Sequence, residues 1–126
     1  MTSRRDRLKK LVKVQEQLKA LHETRHAGFL SAAAAAESEA QDLIGHFDAS
    51  SLAGLFPELY HRRIANALDR QKQSFESARQ EAALVATATA RTNMVERAYK
   101  DVRRRDERER SDRERLDFIA QKREQE

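Results

Sequence analysis

Cysteine is absent from the chain, which excludes disulfide staples, thiolate metal sites and thiol nucleophiles. Proline occurs once and glycine three times in 126 residues, too few of the residues that build the turns of a many-stranded fold. Tryptophan is missing and aromatics amount to 6% against 37% charged side chains, so apolar bulk for a multilayer core is lacking. No apolar run approaches the ~18 residues a membrane span requires. The basic start leads into a stretch interrupted by Lys9, Lys10, Lys13 and Glu16, unlike the apolar region of a secretory signal. Glycine-rich phosphate loops and G-x-S-x-G elbows are also missing, and acids are scattered rather than set in a catalytic pair. These absences lead us to expect a cytoplasmic, non-enzymatic protein with no catalytic residues, cofactor or metal.

What the chain does have is alanine, leucine, glutamate, glutamine and arginine, the residues of long helices. Leu8 leads into Leu11, Val14, Leu18 and Leu21, which alternate three and four apart and read as a coiled-coil seam. The stripe continues through Arg25, Phe29, Ala32, Ala36, Ala40, Leu43 and Phe47 with an eleven-residue rhythm, which relaxes left-handed supercoiling. Turn formers then cluster between Gly45 and Pro57, and Asp48 or Ser50 suits a cap there. Pro57 fits the first turn of a second helix because its missing N–H has no partner to lose there. Ile64, Leu68, Gln71, Phe75, Ala78, Ala82, Val85, Thr89 and Thr92 carry a second stripe, closed by Val95, Tyr99 and Val102.

Residues 103–115 then read RRRDERERSDRER, without one apolar side chain. If the chain reverses at the break, facing residues have numbers adding to roughly 105, because both helices rise ~1.5 Å per residue. The first helix then runs out where the second stripe ends. The expected fold is therefore all-α, a long antiparallel two-helix coiled-coil hairpin in one domain. It has a helix at 4–47, a turn at 48–56, and a helix at 57–123 whose overhang covers 103–126. This match of lengths favours a monomeric hairpin over the competing homodimeric coiled coil. Acid-first pairs four apart, Asp101 with Arg105, Asp106 with Arg110 and Glu109 with Arg113, support the overhang as a solvated helix.

His22, Glu23 and His26 spell H-E-x-x-H, the spacing that sets two imidazoles on one helical face as zinc ligands with a glutamate as base. A catalytic zinc site also needs a third ligand and a walled cavity. A two-helix chain supplies no evident cavity, so these residues read as a surface histidine pair beside the seam, with weak metal binding left open.

Six basic side chains and one acid crowd residues 1–13. In a hairpin, Arg4, Arg5, Arg7, Lys9 and Lys10 come beside Arg103, Arg104 and Arg105 to form a basic open end. Such a patch attracts phosphates or an acidic protein surface. No stacking platform or nucleic-acid module accompanies it, so nucleic acid is the alternative reading. Phe47, Phe56 and Tyr60 at the turn are expected to form a docking surface for a partner, with local packing that fastens the turn as the alternative, and Leu116 and Ile119 return as an apolar foothold beyond the charges.

Residues 115–123 resemble the closing pattern of the FliJ family of flagellar type III export proteins, with Asp117, Ala120 and Arg123 matching and Phe118 departing from it. Val95, Glu96 and Arg97, followed by the charged stretch to Glu114, resemble that family's penultimate region. Phe56, Tyr60 and Ile64 resemble its apolar ladder after the turn. The resemblance implies a cytoplasmic stalk, peripheral to the inner membrane at the flagellar base. It also implies contacts with a hexameric export ATPase, an export gate protein and export chaperones. An injectisome stalk or a coiled-coil adaptor of another assembly fits the same pattern.

Overall fold

A computed structural model describes residues 3–49 and 54–125. It contains two long helices, α1 (Arg4–Ala49) and α2 (Pro57–Glu124), and no strand among the described residues. The helices pack against each other antiparallel, so the fold is the all-α hairpin expected. Ser3 Oγ accepts a hydrogen bond from the Asp6 backbone N–H at 3.1 Å, the cap that starts α1, and Asp6 complements the positive end of the helix dipole. Pro57 and Glu58 open α2 in the manner their chemistry favours. Gly45 does not end α1, which runs through it to Ala49. A helical glycine costs only about 1 kcal/mol relative to alanine, and the packed helix on either side absorbs it. The cap expected at Ser50 and the middle of the turn lie outside the described residues.

In α1 the seam holds Leu8, Phe29, Ala36, Ala40, Leu43 and Phe47 as expected but is displaced by one residue from the expected one between Leu11 and Arg25 and at Ala32. The least exposed residues there are Arg5, Leu8, Val12, Gln15, Lys19, His22, His26, Phe29, Ala33, Ala36, Ala40, Leu43 and Phe47, alternating three and four apart throughout. That is an uninterrupted heptad pattern, without the eleven-residue rhythm. Leu11, Val14, Leu18 and Leu21 stand one residue away, about 100° around the helix, and remain 41–47% exposed. Small residues explain the choice. Ala33, Ala36 and Ala40 are essentially buried, which brings the helices close. Strict heptads counted back from them select Gln15, Lys19 and His22 rather than the leucines.

α2 shows the same regularity. Tyr60, Ile64, Ala67, Gln71, Ser74, Ala78, Glu81, Val85, Ala88, Thr92, Val95, Tyr99, Val102 and Asp106 form its inward row. Leu68, Phe75, Ala82 and Thr89, expected in the seam, stand one position outside it, and Leu68 and Phe75 are each 47% exposed.

Two compact units divide the chain, residues 19–87 and residues 1–18 with 88–126. In the first, alanine dominates the core, with Ala33, Ala36, Ala40, Ala67 and Ala78 buried. The Phe47 ring packs on Tyr60 at 6.0 Å and on His61 at 5.2 Å, closing the hairpin near its turn. Arg70 donates to Glu39 at 2.8 Å across the two helices. In the second unit Leu8 and Val12 of α1 are half-buried, as are Val95, Tyr99 and Val102 of α2. The Thr92 hydroxyl, buried there, is satisfied by the Ala88 carbonyl at 2.7 Å.

Candidate functional site

The most unusual chemistry lies inside the seam of residues 19–87. Glu81 is one of two buried polar residues among those described, in a row otherwise made mostly of alanine and other small or apolar side chains. Its carboxylate lies 2.8 Å from His22 Nδ1 and 4.0 Å from Arg25 Nη1. A buried carboxylate without partners is costly, and here an imidazole and a guanidinium supply them. His22 and His26 are therefore seam residues, not the surface pair expected, because the heptad turns both toward α2. Glu23 points away and lies 3.9 Å from Lys19. Among the described residues no group of three His, Cys, Asp or Glu side chains stands in an arrangement for holding a metal ion. The acid that answers His22 comes from the other helix. Its sequence signal is modest, one acid on a strict heptad count through Ala78 and Val85.

The basic end belongs to the unit formed by residues 1–18 and 88–126. Arg4, Arg7, Lys9 and Lys10 are exposed, while Arg5 is half-buried at an inward position. Of the three arginines expected opposite them, Arg104 and Arg105 are exposed. Arg103 is packed down, with its guanidinium 5.9 Å over the Tyr99 ring and Nε 3.8 Å from Glu107. Its Nε is buried without a hydrogen-bond partner. Arg103 thus acts more as part of the α2 surface than as a free cation, and the open patch consists of Arg4, Arg7, Lys9, Lys10, Arg104 and Arg105. Arg104 also borders a shallow depression with Glu96, Lys100 and Asp101.

The aromatics singled out near the turn separate. Phe56 is 58% exposed and, with Leu55, Leu59 and Arg62, borders an open depression. Tyr60 packs on Phe47. Alanine at Tyr60 should therefore lower stability by about 0.5–1.5 kcal/mol, the worth of an aromatic pair beyond its area. Alanine at Phe56 should leave the melting curve unchanged and weaken partner capture. Thermal denaturation alongside a pull-down distinguishes the two. Equal losses of stability at both positions would mean that Phe56 merely fastens the turn.

Beyond Asp106 every described residue of α2 is exposed. Leu116, Phe118 and Ile119 are 66%, 66% and 51% exposed. Glu109 and Arg113 lie 4.0 Å apart, the acid-first pairing expected. The other ion pairs of this stretch run base-first, Arg103 to Glu107 at 3.8 Å and Arg110 to Glu114 at 3.3 Å. Asp101 with Arg105 and Asp106 with Arg110 are not paired among the described residues. Base-first pairs oppose the helix dipole and stabilise less. No helix is long and apolar enough to cross a membrane among the described residues. No family model, curated protein or solved structure matches the chain.

Proposed function

We propose that the protein is a non-enzymatic coiled-coil stalk or adaptor of the flagellar type III export apparatus, working in the cytoplasm at the flagellar base. The observation that carries this reading is a helix that leaves its hairpin partner behind at Asp106 and continues to Glu124, exposing charge and then a small apolar patch. A hairpin that buries mainly alanine offers surfaces to partners rather than an enclosed site from which water is excluded. Its partners, by resemblance, are the hexameric export ATPase, the export gate and export chaperones. Arg4, Arg7, Lys9, Lys10, Arg104 and Arg105 serve an acidic protein surface on the ATPase ring, and Leu116 and Ile119 add the apolar foothold. Phe56 serves a second partner, the gate or a chaperone.

Replacing Arg4, Arg7 and Lys10 with glutamate tests the reading, because these side chains are exposed and the half-buried Arg5 is left in place. Capture of the export ATPase should fall about tenfold or more while helix content stays the same. Unchanged capture, or no capture by the wild type, would overturn it. A wild-type shift of duplex or single-stranded probes at physiological salt, lost on reversal, would favour nucleic acid, the reading that the basic start also fits. Capture of a different assembly would favour the injectisome or another coiled-coil adaptor.

A further inference from the structure

We propose that the stretch of α2 beyond Asp106 is a self-association site, at which a second copy of this chain docks antiparallel, overhang against overhang. The inward row of α2 does not stop where α1 stops covering it. Val102 and Asp106 are followed at the same alternation by Glu109, Arg113, Leu116, Ala120 and Arg123, all exposed. The hairpin interface thus continues in phase onto a helix face that no described residue covers, and heptad phase limits how another helix is laid along it. The occupant must also clear the start of α1 at Arg4, which Ser3 caps.

An antiparallel second copy meets both conditions in the register that sets Arg113 level with Leu116 of the other chain. Twofold symmetry then makes every contact twice. Asp106 comes level with Arg123, and the Leu116 side chains of the two copies lie in adjacent layers about the axis, covered by the arginine stems. On the flank, Arg110 comes beside Asp117. Asp106, Asp117 and Arg123 have no ion-pair partner within their own chain among the described residues, so this register supplies each with one.

Charge also decides the direction. A parallel pairing of the same stretch sets Arg105 beside Arg110, Asp112 beside Asp117, and Arg113 against Arg113 in the seam. Those like charges repel, whereas the antiparallel register joins opposite ones. The overlap covers about twenty residues of each helix, at the small end of specific interfaces, so the dimer is weak. Its exposed ion pairs make it sensitive to salt. Each hairpin stays complete within one chain, and the pairing requires nothing from an export apparatus. It covers Leu116 and therefore competes with any partner that uses that foothold.

Sedimentation equilibrium of the full chain at low and high salt tests this, with helix content followed by circular dichroism. The wild type should dimerise at low salt and dissociate as salt is raised. Arg110→Asp and Asp117→Arg should each weaken the dimer about tenfold or more, by setting like charges side by side twice. The double variant, which exchanges the two charges within each chain, should restore it. A wild type that stays monomeric at low salt up to several hundred micromolar, on the order of the weakest specific association, would overturn the proposal. So would a dimer indifferent to both single changes, or a double variant no better than the singles.

Discussion

Replacing His22 with leucine should lower the stability of the hairpin by roughly 1–3 kcal/mol, the cost of leaving a largely buried carboxylate without its hydrogen-bond partner. Glu81 is the reason. Its side chain is only 11% exposed, and among the described residues the one other group paired with it is Arg25 at 4.0 Å. The carboxylate would then be largely desolvated and poorly compensated. Replacing His22 and Glu81 together with leucine removes both the charge and its need for a partner. The double variant should match the wild type closely or exceed it, because replacing both partners of a buried hydrogen bond by apolar groups leaves nothing unsatisfied. Urea denaturation followed by helix content gives all three stabilities. A double variant as unstable as His22→Leu would show that the polar pair contributes more than its own desolvation cost.

Ala40→Leu should be strongly destabilising, because Ala40 is 2% exposed and Ala67, in the inward row of the other helix, is 0% exposed. A leucine there has no space without separating the helices, a change costing typically 1–3 kcal/mol by analogy with other overpacked cores, roughly. Intrinsic helix preference contributes little to the effect, since leucine is nearly as good a helix former as alanine. The opposite change, Leu18→Ala, should cost less than about 1 kcal/mol, because Leu18 is already 41% exposed and little area is taken from it. Thermal melts of the two variants separate the strict heptad seam from the leucine stripe that the sequence displays more loudly. If Leu18→Ala proved the worse of the two, the leucines would be the true seam.

The aromatic end of the hairpin was partly legible from spacing because Leu43, Phe47 and Ile64 lie on the inward row under either phase, whereas Tyr60, expected to face a partner, packs on Phe47. The leucine end was not. Leu11, Val14, Leu18 and Leu21 repeat at heptad spacing as faithfully as Val12, Gln15, Lys19 and His22 do, and hydrophobicity alone favours the leucines. Likewise, Glu81 carried no local sign that it would meet His22, because its partner lies 59 residues away. The basic cluster at the start of the chain was readable as composition. That Arg103 folds down over Tyr99 while Arg104 and Arg105 stay exposed depended on where each falls around α2.

The sequence by itself determined that there are two helices, that they run antiparallel, and that the second continues as a charged helix past Asp106. Each of these follows from interactions within a few residues or from lengths that must match: helix preference, the proline and glycine cluster, and the equal rise of both helices. Tertiary structure alone decided which face of α1 turns inward. In the first half of the helix a one-residue shift of phase leaves every local preference almost unchanged and exchanges Leu11, Val14, Leu18 and Leu21 for Val12, Gln15, Lys19 and His22. Close approach of small side chains from both helices selects between them, and that approach exists only once the second helix is in place.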